Sequence, residues 1–245
     1  MKRTSVTVMA LCAMLLGAGA ALAHDKHHDN QKFPATGQTT VYAVGDDGSY
    51  QAGAPLKYKN NCNGTITDQN TGLMWEVKDD YNGSPNPDDL NDVNNNYPCA
   101  GTCSTSEGAL CGTAADCPTG QTCNASDGQS TGYTIFQWVA QLNAKHFAGH
   151  KDWRIPNVKE LESIVDYGTY PPPDVAAAFN TNCAAACTVT TCSCTQSNSN
   201  YYWSATTNAG YANFAWDVGF GNGNVNYDYK PFDYKLYVRA VRSGL

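Results

Sequence analysis

The cysteine content is the feature that most limits how this chain can fold. Eleven cysteines occur in 245 residues, and ten of them follow Cys12. An even number of cysteines in a chain rich in Asn, Thr, Gly, Ser and Tyr is typical of a disulfide-stabilised extracellular fold. We therefore expect all ten to form disulfides. They are Cys62, Cys99, Cys103, Cys111, Cys117, Cys123, Cys183, Cys187, Cys192 and Cys194.

The spacing of these ten cysteines does not assign their partners. Cys62 stands alone, five follow between residues 99 and 123, and four lie between 183 and 194, so that the first two groups could form three bridges and the last group two. The last group, CAAACTVTTCSC, could alternatively be a four-thiolate metal site. We favour disulfides because exported thiols are usually oxidised and this spacing matches no zinc ribbon. We expect no metal and no cofactor.

Residues 1–23 have the features of a signal peptide. Lys2 and Arg3 precede an apolar run, and Ala21 and Ala23 provide the small residues of a cleavage site. Removing this segment takes away two of the 15 basic residues and none of the 22 acidic ones, which leaves a net charge of about −9. We predict an exported protein, whether periplasmic, at the outer surface or extracellular, with no transmembrane segment and no nucleic-acid partner.

The composition changes between residues 79 and 130. The first part of this segment is acidic and rich in Asn, the second part is rich in Cys, and both contain few large apolar residues. We interpret it as a loop insertion held by disulfides. Its carboxylates could alternatively bind calcium, but their spacing is not that of an EF-hand and we prefer a solvated loop. They are Asp79, Asp80, Asp88, Asp89 and Asp92.

Two helices are predicted after the insertion by their capping signals. Thr134 with Gln137, and Asn157 with Glu160, have the spacing of a capping box. Apolar residues then recur on one face of each helix. The first face comprises Ile135, Trp138, Val139, Leu142 and His146, and the second comprises Val158, Leu161, Ile164 and Val165. His146 and His150 have the spacing of a metal pair, but we expect Gly149 to end the helix before them.

The other segments have the pattern of short β-strands. Ile66–Thr67 and Leu73–Trp75 flank the turn-prone residues 68–72, which predicts a hairpin. After residue 198 come four strand-like segments, and the last alternates over most of 236–242. Strands that precede and follow a helical segment predict an α+β fold with antiparallel sheets.

Four strings in the chain resemble the Lcl C-terminal domain family of bacteria. They are GTITDQNTGLMW, FAGHKDWRIPNVKELESIVDY, YYWSATT and YVRAVR, in this order. The resemblance covers about residues 56–245 apart from the insertion, which leaves residues 24–55 as a polar N-terminal segment. It implies a C-type-lectin-like fold, in which two helices flank short, curved antiparallel sheets.

The same resemblance implies an envelope or surface location and a binding function, with glycan binding in the adhesin that gives the family its name. Sugar-binding C-type lectins hold calcium through an EPN or QPD tripeptide. The nearest string here is IPN at 155–157, which lacks the carboxylate, so calcium-mediated sugar binding is not expected. Within the motifs we assign eight residues to the scaffold. They are Trp75, Asp152, Trp153, Arg154, Asn157, Glu160, Trp203 and Arg239.

The candidate ligand surface lies in the C-terminal segment between residues 200 and 234, which is rich in Tyr, Asn, Asp and Gly. These residues combine rigid aromatic faces with adaptable hydrogen bonding, as antibody loops do. Ordinary strand and turn residues would give the same composition. The candidates are Tyr211, Trp216, Asn222, Asn224, Asn226, Tyr227, Asp228 and Tyr229.

The sequence contains no GxSxG, HExxH, P-loop or GxGxxG motif, so we expect no enzyme activity. The preferred hypothesis is an exported, non-catalytic binding module that recognises a glycan or a protein surface through its C-terminal loops. One alternative is a structural component of a larger envelope or extracellular assembly, with the insertion at residues 79–130 as the contact surface, or an oligomer. A further alternative is a redox or metal protein that uses the cysteine clusters.

Overall fold

A computed structural model describes residues 33–105, 109–125, 132–197, 201–231 and 234–244. The predicted signal peptide at 1–23 and the first part of the polar segment lie outside these ranges. The helices are α1 (Asp47–Tyr50), α2 (Ile135–Ala144) and α3 (Val158–Glu162). The strands are β1 (Tyr58–Asn60), β2 (Thr65–Asp68), β3 (Leu73–Glu76), β4 (Tyr97–Pro98), β5 (Gly101–Cys103), β6 (Leu110–Cys111), β7 (Cys123–Asn124), β8 (Tyr201–Thr207), β9 (Phe214–Gly219), β10 (Asn224–Tyr229), β11 (Lys235–Leu236) and β12 (Val241–Ser243).

The strands of the described residues form small antiparallel sheets, and the fold is α+β as predicted. Their orders are β1-β2-β3-β12, β10-β9-β8, β11-β4 and β6-β5-β7. The predicted hairpin is confirmed, because Ile66 pairs with Trp75 across β2 and β3. Trp75 is fully buried and packs edge-to-face against Phe179, with 6.1 Å between ring centroids.

Both predicted capping boxes are present. Thr134 Oγ1 accepts from the backbone N–H of Gln137, and the Gln137 side chain accepts from the N–H of Thr134. Asn157 and Glu160 make the same reciprocal contacts at the start of α3. Both helices are shorter than the apolar pattern suggested. α2 ends at Ala144, so that His146 is an exposed residue with φ +53° beyond the helix and not part of its buried face.

The link between α2 and α3 is held by paired side chains. Asn143 accepts from the Trp153 N–H and donates to the Trp153 carbonyl oxygen, both at 2.8 Å, and the Trp153 side chain is buried. Arg154 makes two hydrogen bonds to the Glu160 carboxylate, at 2.7 and 2.6 Å. Asp152 accepts two from Arg242, at 2.8 and 3.1 Å. These contacts fix how the chain leaves one helix and enters the next.

The insertion contributes to the main core, contrary to our interpretation of it as a loop poor in core residues. Leu90 and Tyr97 pack with Trp138 of α2 and Trp203 of β8, and the Trp203 indole N–H donates to the Tyr97 carbonyl oxygen at 2.9 Å. The description of its acidic part as a solvated loop is also wrong for Asp79 and Asp92. Asp79 is 5% exposed and Asp92 is fully buried.

Burial of these two carboxylates has a tertiary cause. The backbones at Asp79 and Asp92 pair as an isolated parallel bridge. Val93 packs on the cysteines between residues 183 and 194, which we call the second cysteine cluster. Asp80 Oδ1 accepts from the backbone N–H of Ala186 in the loop that carries that cluster. Burial raises the pKa of Asp79 to about 7, and the Asp89 carboxylate adds to the shift. The acidic segment is therefore part of the folded body.

The cysteines form four disulfides, and not the five that we expected. The pairs are Cys103–Cys117, Cys111–Cys123, Cys183–Cys194 and Cys187–Cys192. Cys62 and Cys99 are free, which corrects their assignment as disulfide cysteines. Cys62 is exposed in the turn between β1 and β2, whereas Cys99 is buried in the main core, so the two cannot meet without rearrangement.

The predicted last strand over 236–242 is divided between two sheets. Leu236 pairs with Tyr97 in the insertion, whereas Val241 pairs with Trp75 in the first sheet. Between these strands Arg239 is fully buried, and its guanidinium donates to backbone carbonyl oxygens. No helix within the described ranges has both the length and the apolar character needed to cross a membrane.

Candidate functional site

The β10-β9-β8 sheet distributes the predicted ligand residues over two opposite faces. Side chains alternate along a strand, and residues directly opposite each other on neighbouring strands share a face. Tyr227 lies opposite Trp216, and Tyr229 lies opposite Phe214. Asn224, Asn226 and Asp228 therefore point to the other side of β10. We predicted that the eight candidates form one surface. The structure instead divides them between the two faces of the sheet.

Five aromatic side chains form one continuous patch, which we call the aromatic patch. Tyr227 is at its centre, with ring centroids 5.4 Å from Trp216, 5.8 Å from Phe214 and 6.4 Å from Tyr211. The rings of Tyr211 and Tyr227 are close to parallel, with an interplanar angle of 16°, whereas Phe214 and Trp216 meet Tyr227 edge-on. Tyr229 extends the patch through Phe214 at 5.4 Å.

The aromatic patch combines a supported base with an exposed rim. Tyr211 is 62% exposed, and Tyr227 and Tyr229 are each 40% exposed, whereas Phe214 and Trp216 are partly buried beneath them. The edge-on contacts stabilise the ring positions and leave the outer tyrosine faces open to solvent. A cluster of exposed rings of this kind is a candidate interaction surface.

The turn between β9 and β10 is held in place from outside the sheet. Gly223 has φ +70°, and its carbonyl oxygen accepts from the Tyr167 hydroxyl at 3.2 Å. A Cβ at this position would lie 2.3 Å from the Tyr167 ring, so only glycine fits. The exposed Asn222 accepts from the backbone N–H of Asn224 at 3.1 Å, which uses its side-chain oxygen within the turn.

The opposite face contains a pair of carboxyl groups at Asp217 and Asp228. Asp217 is fully buried, and neither of its carboxylate oxygens has a hydrogen-bond donor among the described residues. Burial raises the pKa of Asp217 to about 8, and the neighbouring Asp228 adds to the shift. The Asp217 and Asp228 carboxyl groups and the Tyr234 hydroxyl lie close enough to shift one another's pKa values. The pair therefore links β9, β10 and the segment that precedes β11.

Asp217 cannot reach a substrate in the described conformation. Two carboxyl groups with separated pKa values are the usual arrangement for general acid–base chemistry. A catalytic carboxyl must, however, reach the reacting atoms, and Asp217 has no exposed surface. The geometry favours a structural role for Asp217, as a buried carboxyl group whose raised pKa keeps it protonated at neutral pH.

All but one of the ten cysteines that follow Cys12 offer little chemistry in this structure, because eight are in disulfides and Cys99 is buried. The sulfurs of Cys187, Cys192 and Cys194 lie within 4.8 Å of one another, but all three are in disulfides and cannot serve as thiolate ligands for zinc. Burial raises the pKa of the Cys99 thiol to about 12, which keeps it protonated and unreactive at neutral pH.

Phe214, Asp217 and Tyr234 are the residues at these sites that the sequence analysis missed. Phe214 lies two positions before Trp216 in NFAWDV, so strand alternation places both on one face and could have identified it. Tyr234 approaches Asp228 only through the path of the chain after β10, for which the sequence contains no local signal.

The fold and the two faces define a class: a disulfide-stabilised α+β domain with an exposed aromatic patch on a small antiparallel sheet. The model of the Lcl C-terminal domain family matches residues 64–242, well over half of the chain, and the protein belongs to that family. The match runs through the insertion. No curated protein and no solved structure matches the chain.

Proposed function

We propose that this protein is an exported, non-catalytic binding module that recognises a glycan through the aromatic patch. The observation that carries the proposal is the exposure of Tyr211, Tyr227 and Tyr229 on a base of Phe214 and Trp216. Flat tyrosine faces stack on the apolar C–H faces of sugar rings, and their hydroxyls bond to sugar hydroxyls. Tyrosine provides this contact area with little loss of side-chain entropy.

Family membership and the four disulfides support an extracellular location. Export would begin with cleavage after Ala23, which N-terminal sequencing of the mature protein would test. The helices beside short antiparallel sheets are the parts that a C-type-lectin-like framework needs. Recognition by this surface needs no cofactor, because aromatic stacking requires no bridging ion.

The test is a glycan-array screen of residues 24–245, run in buffer with calcium and in buffer with chelator. We expect binding that the chelator does not change, that Tyr227→Ala and Tyr229→Ala abolish, and that Tyr170→Ala retains. Tyr170 is a matched control because it is a tyrosine with 91% exposure outside the aromatic patch. Glycan binding that persists in Tyr227→Ala, or no binding to any glycan, would contradict the proposal.

Deletion of residues 79–130 is not a clean test of the alternative role in an envelope assembly. The deletion would remove Leu90 and Tyr97 from the main core and would unfold the domain. The alternative of a redox or metal protein is weakened, because eight of the ten cysteines that follow Cys12 form disulfides with each other.

A further inference from the structure

A cavity of about 460 Å³ lies where the insertion meets the β10-β9-β8 sheet. Its walls come from three parts of the chain: Leu110 and Gly112 of the insertion, Phe136 of α2, and Ala205, Ala212 and Ala215 beside the sheet. Ala215 alternates with Phe214 and Trp216 along β9, so the cavity and the aromatic patch lie on opposite faces of the sheet. The volume is that of a typical small-molecule site.

Small side chains keep the cavity open, and the packing of its wall is fixed. A Cβ added to Gly112 would lie 2.8 Å from the Phe136 ring, so the insertion and α2 are in close contact there. Thr134 at the start of α2 also donates to the Gly112 carbonyl oxygen. The cavity is therefore bounded by elements that are held together by tertiary contacts and not by loose loops.

Lys230 places a positive charge in this cavity. Its Nζ donates to Thr207 Oγ1 at 2.7 Å, and both residues line the wall. Within the described part of the chain, the ion pairs involve other residues, and no carboxylate pairs with Lys230. The protein as a whole is acidic, so this ammonium is a local exception to its charge. Its backbone is fixed by hydrogen bonds to Asn213 and Ala100.

The rest of the wall adds no competing charge. Cys99, at the buried side of the cavity, is free, and its raised pKa keeps the thiol neutral. Leu110, Phe136 and the alanines are apolar. A partner that satisfies this site needs an apolar body of limited size and one anionic group placed near Lys230 Nζ.

We propose that the cavity between the insertion and the β10-β9-β8 sheet is a second ligand site, which binds a small organic anion through Lys230. This site is distinct from the aromatic patch and does not depend on glycan binding. The ligand class is a carboxylate with an apolar body, because the ammonium and Thr207 hydroxyl select the anionic group and the alanine-lined wall accepts the rest.

The test uses benzoate as the probe and benzamide as its neutral analogue. Binding of each is measured from the backbone amide chemical shifts of the intact protein. Benzoate is expected to cause saturable shifts at Leu110, Gly112 and Ala212 and to bind about tenfold more tightly than benzamide, as expected for one charge-assisted hydrogen bond. Lys230→Met retains the aliphatic stem and should reduce benzoate to the affinity of benzamide. Higher salt should weaken benzoate binding alone.

Two further variants separate the site from non-specific effects. Lys59→Met removes an exposed lysine outside the cavity and should leave benzoate binding unchanged. Ala205→Phe fills the cavity from an exposed position and should abolish binding while the remaining amide spectrum is preserved. The absence of saturable shifts, equal affinities for benzoate and benzamide, or unchanged benzoate binding in Lys230→Met would each overturn the proposal.

Discussion

The guanidinium of Arg239 donates to the backbone carbonyl oxygen of Glu76 at 2.8 Å, deep in the core of the domain. The same guanidinium donates to the Cys194 carbonyl oxygen at 2.7 Å, and the Glu76 side chain forms a buried ion pair with Lys78 at 2.9 Å. One side chain thus connects the first sheet to the second cysteine cluster.

Arg239→Met should lower the free energy of unfolding by about 3–5 kcal/mol, because it leaves buried carbonyl oxygens without donors. Arg239→Lys should also destabilise, since an ammonium cannot reproduce the fork of the guanidinium. Urea unfolding measures both. Arg242→Met is the control, because its partner Asp152 is 57% exposed, and it should cost about 1 kcal/mol or less. Equal losses for Arg239→Met and Arg242→Met would contradict this role.

Asp217→Asn should change how stability depends on pH. The folded-state pKa of Asp217 is raised to about 8, whereas an unfolded Asp titrates near 4. Between about pH 4 and about pH 8 the unfolded chain loses this proton and the folded protein keeps it, so the stabilisation decreases as pH rises.

An Asn amide can donate to Asp228 without titrating, so the variant should lack this decrease. We expect the unfolding free energy of the natural protein to fall by on the order of 5 kcal/mol more than that of Asp217→Asn across this range. Urea titrations at several pH values measure the difference. Parallel pH profiles would show that Asp217 is ionised in the folded protein.

Glu160→Ala should destabilise the protein more than Glu162→Ala. Glu160 accepts from the Asn157 N–H in the capping box and forms two hydrogen bonds with Arg154, so its loss should cost about 1–2 kcal/mol. Glu162 pairs with Lys159, whose side chain is 83% exposed, and its loss should cost less than about 0.5 kcal/mol. Thermal unfolding compares the two variants, and equal costs would argue against the contribution of the cap.

Alkylation followed by intact-mass measurement should find two free thiols. Cys62 is exposed and should react in the native protein, whereas Cys99 should react only after denaturation, because it is buried and its thiol stays protonated. Four disulfides should remain without reductant. If no thiol is alkylated in denaturant, the oxidised protein has a fifth bridge between these two cysteines.

Local signals predicted the parts of the fold that depend on neighbouring residues. The caps at Thr134 and Asn157 each require side chains three positions apart, and the turn at residues 68–72 lies within one short segment. Such contacts are encoded in spacing that a sequence displays directly. The helix starts and the hairpin were therefore predicted correctly.

Long-range contacts account for most of what the sequence did not reveal. Leu90 and Tyr97 are isolated apolar residues in a polar segment, and only their packing on Trp138 and Trp203 makes them core residues. Leu236 and Val241 pair with different sheets although the alternation around them suggests one strand. The even number of cysteines suggested five disulfides, but it could not show that Cys62 is exposed and Cys99 is buried.

The candidate ligand surface was predictable only where it depends on local strand alternation. Composition pointed to the segment that carries the aromatic patch, and strand alternation predicts that Tyr227 and Tyr229 share a face. It places Asn226 and Asp228 on the other face, so the eight residues should have been divided into two sets. Neither the burial of Asp217 nor the cavity at Lys230 could be inferred, because each depends on tertiary packing, which for the cavity includes residues of the insertion.

The pairing of β12 with β3 also affects the order of events during synthesis. Residues 241–243 complete a sheet whose other strands lie between residues 58 and 76, so more than half of the chain separates the two pairing partners. A nascent chain cannot close this sheet until residues 241–243 have been made, and contacts so distant in sequence form slowly. The first sheet should therefore be among the last parts of the domain to be completed.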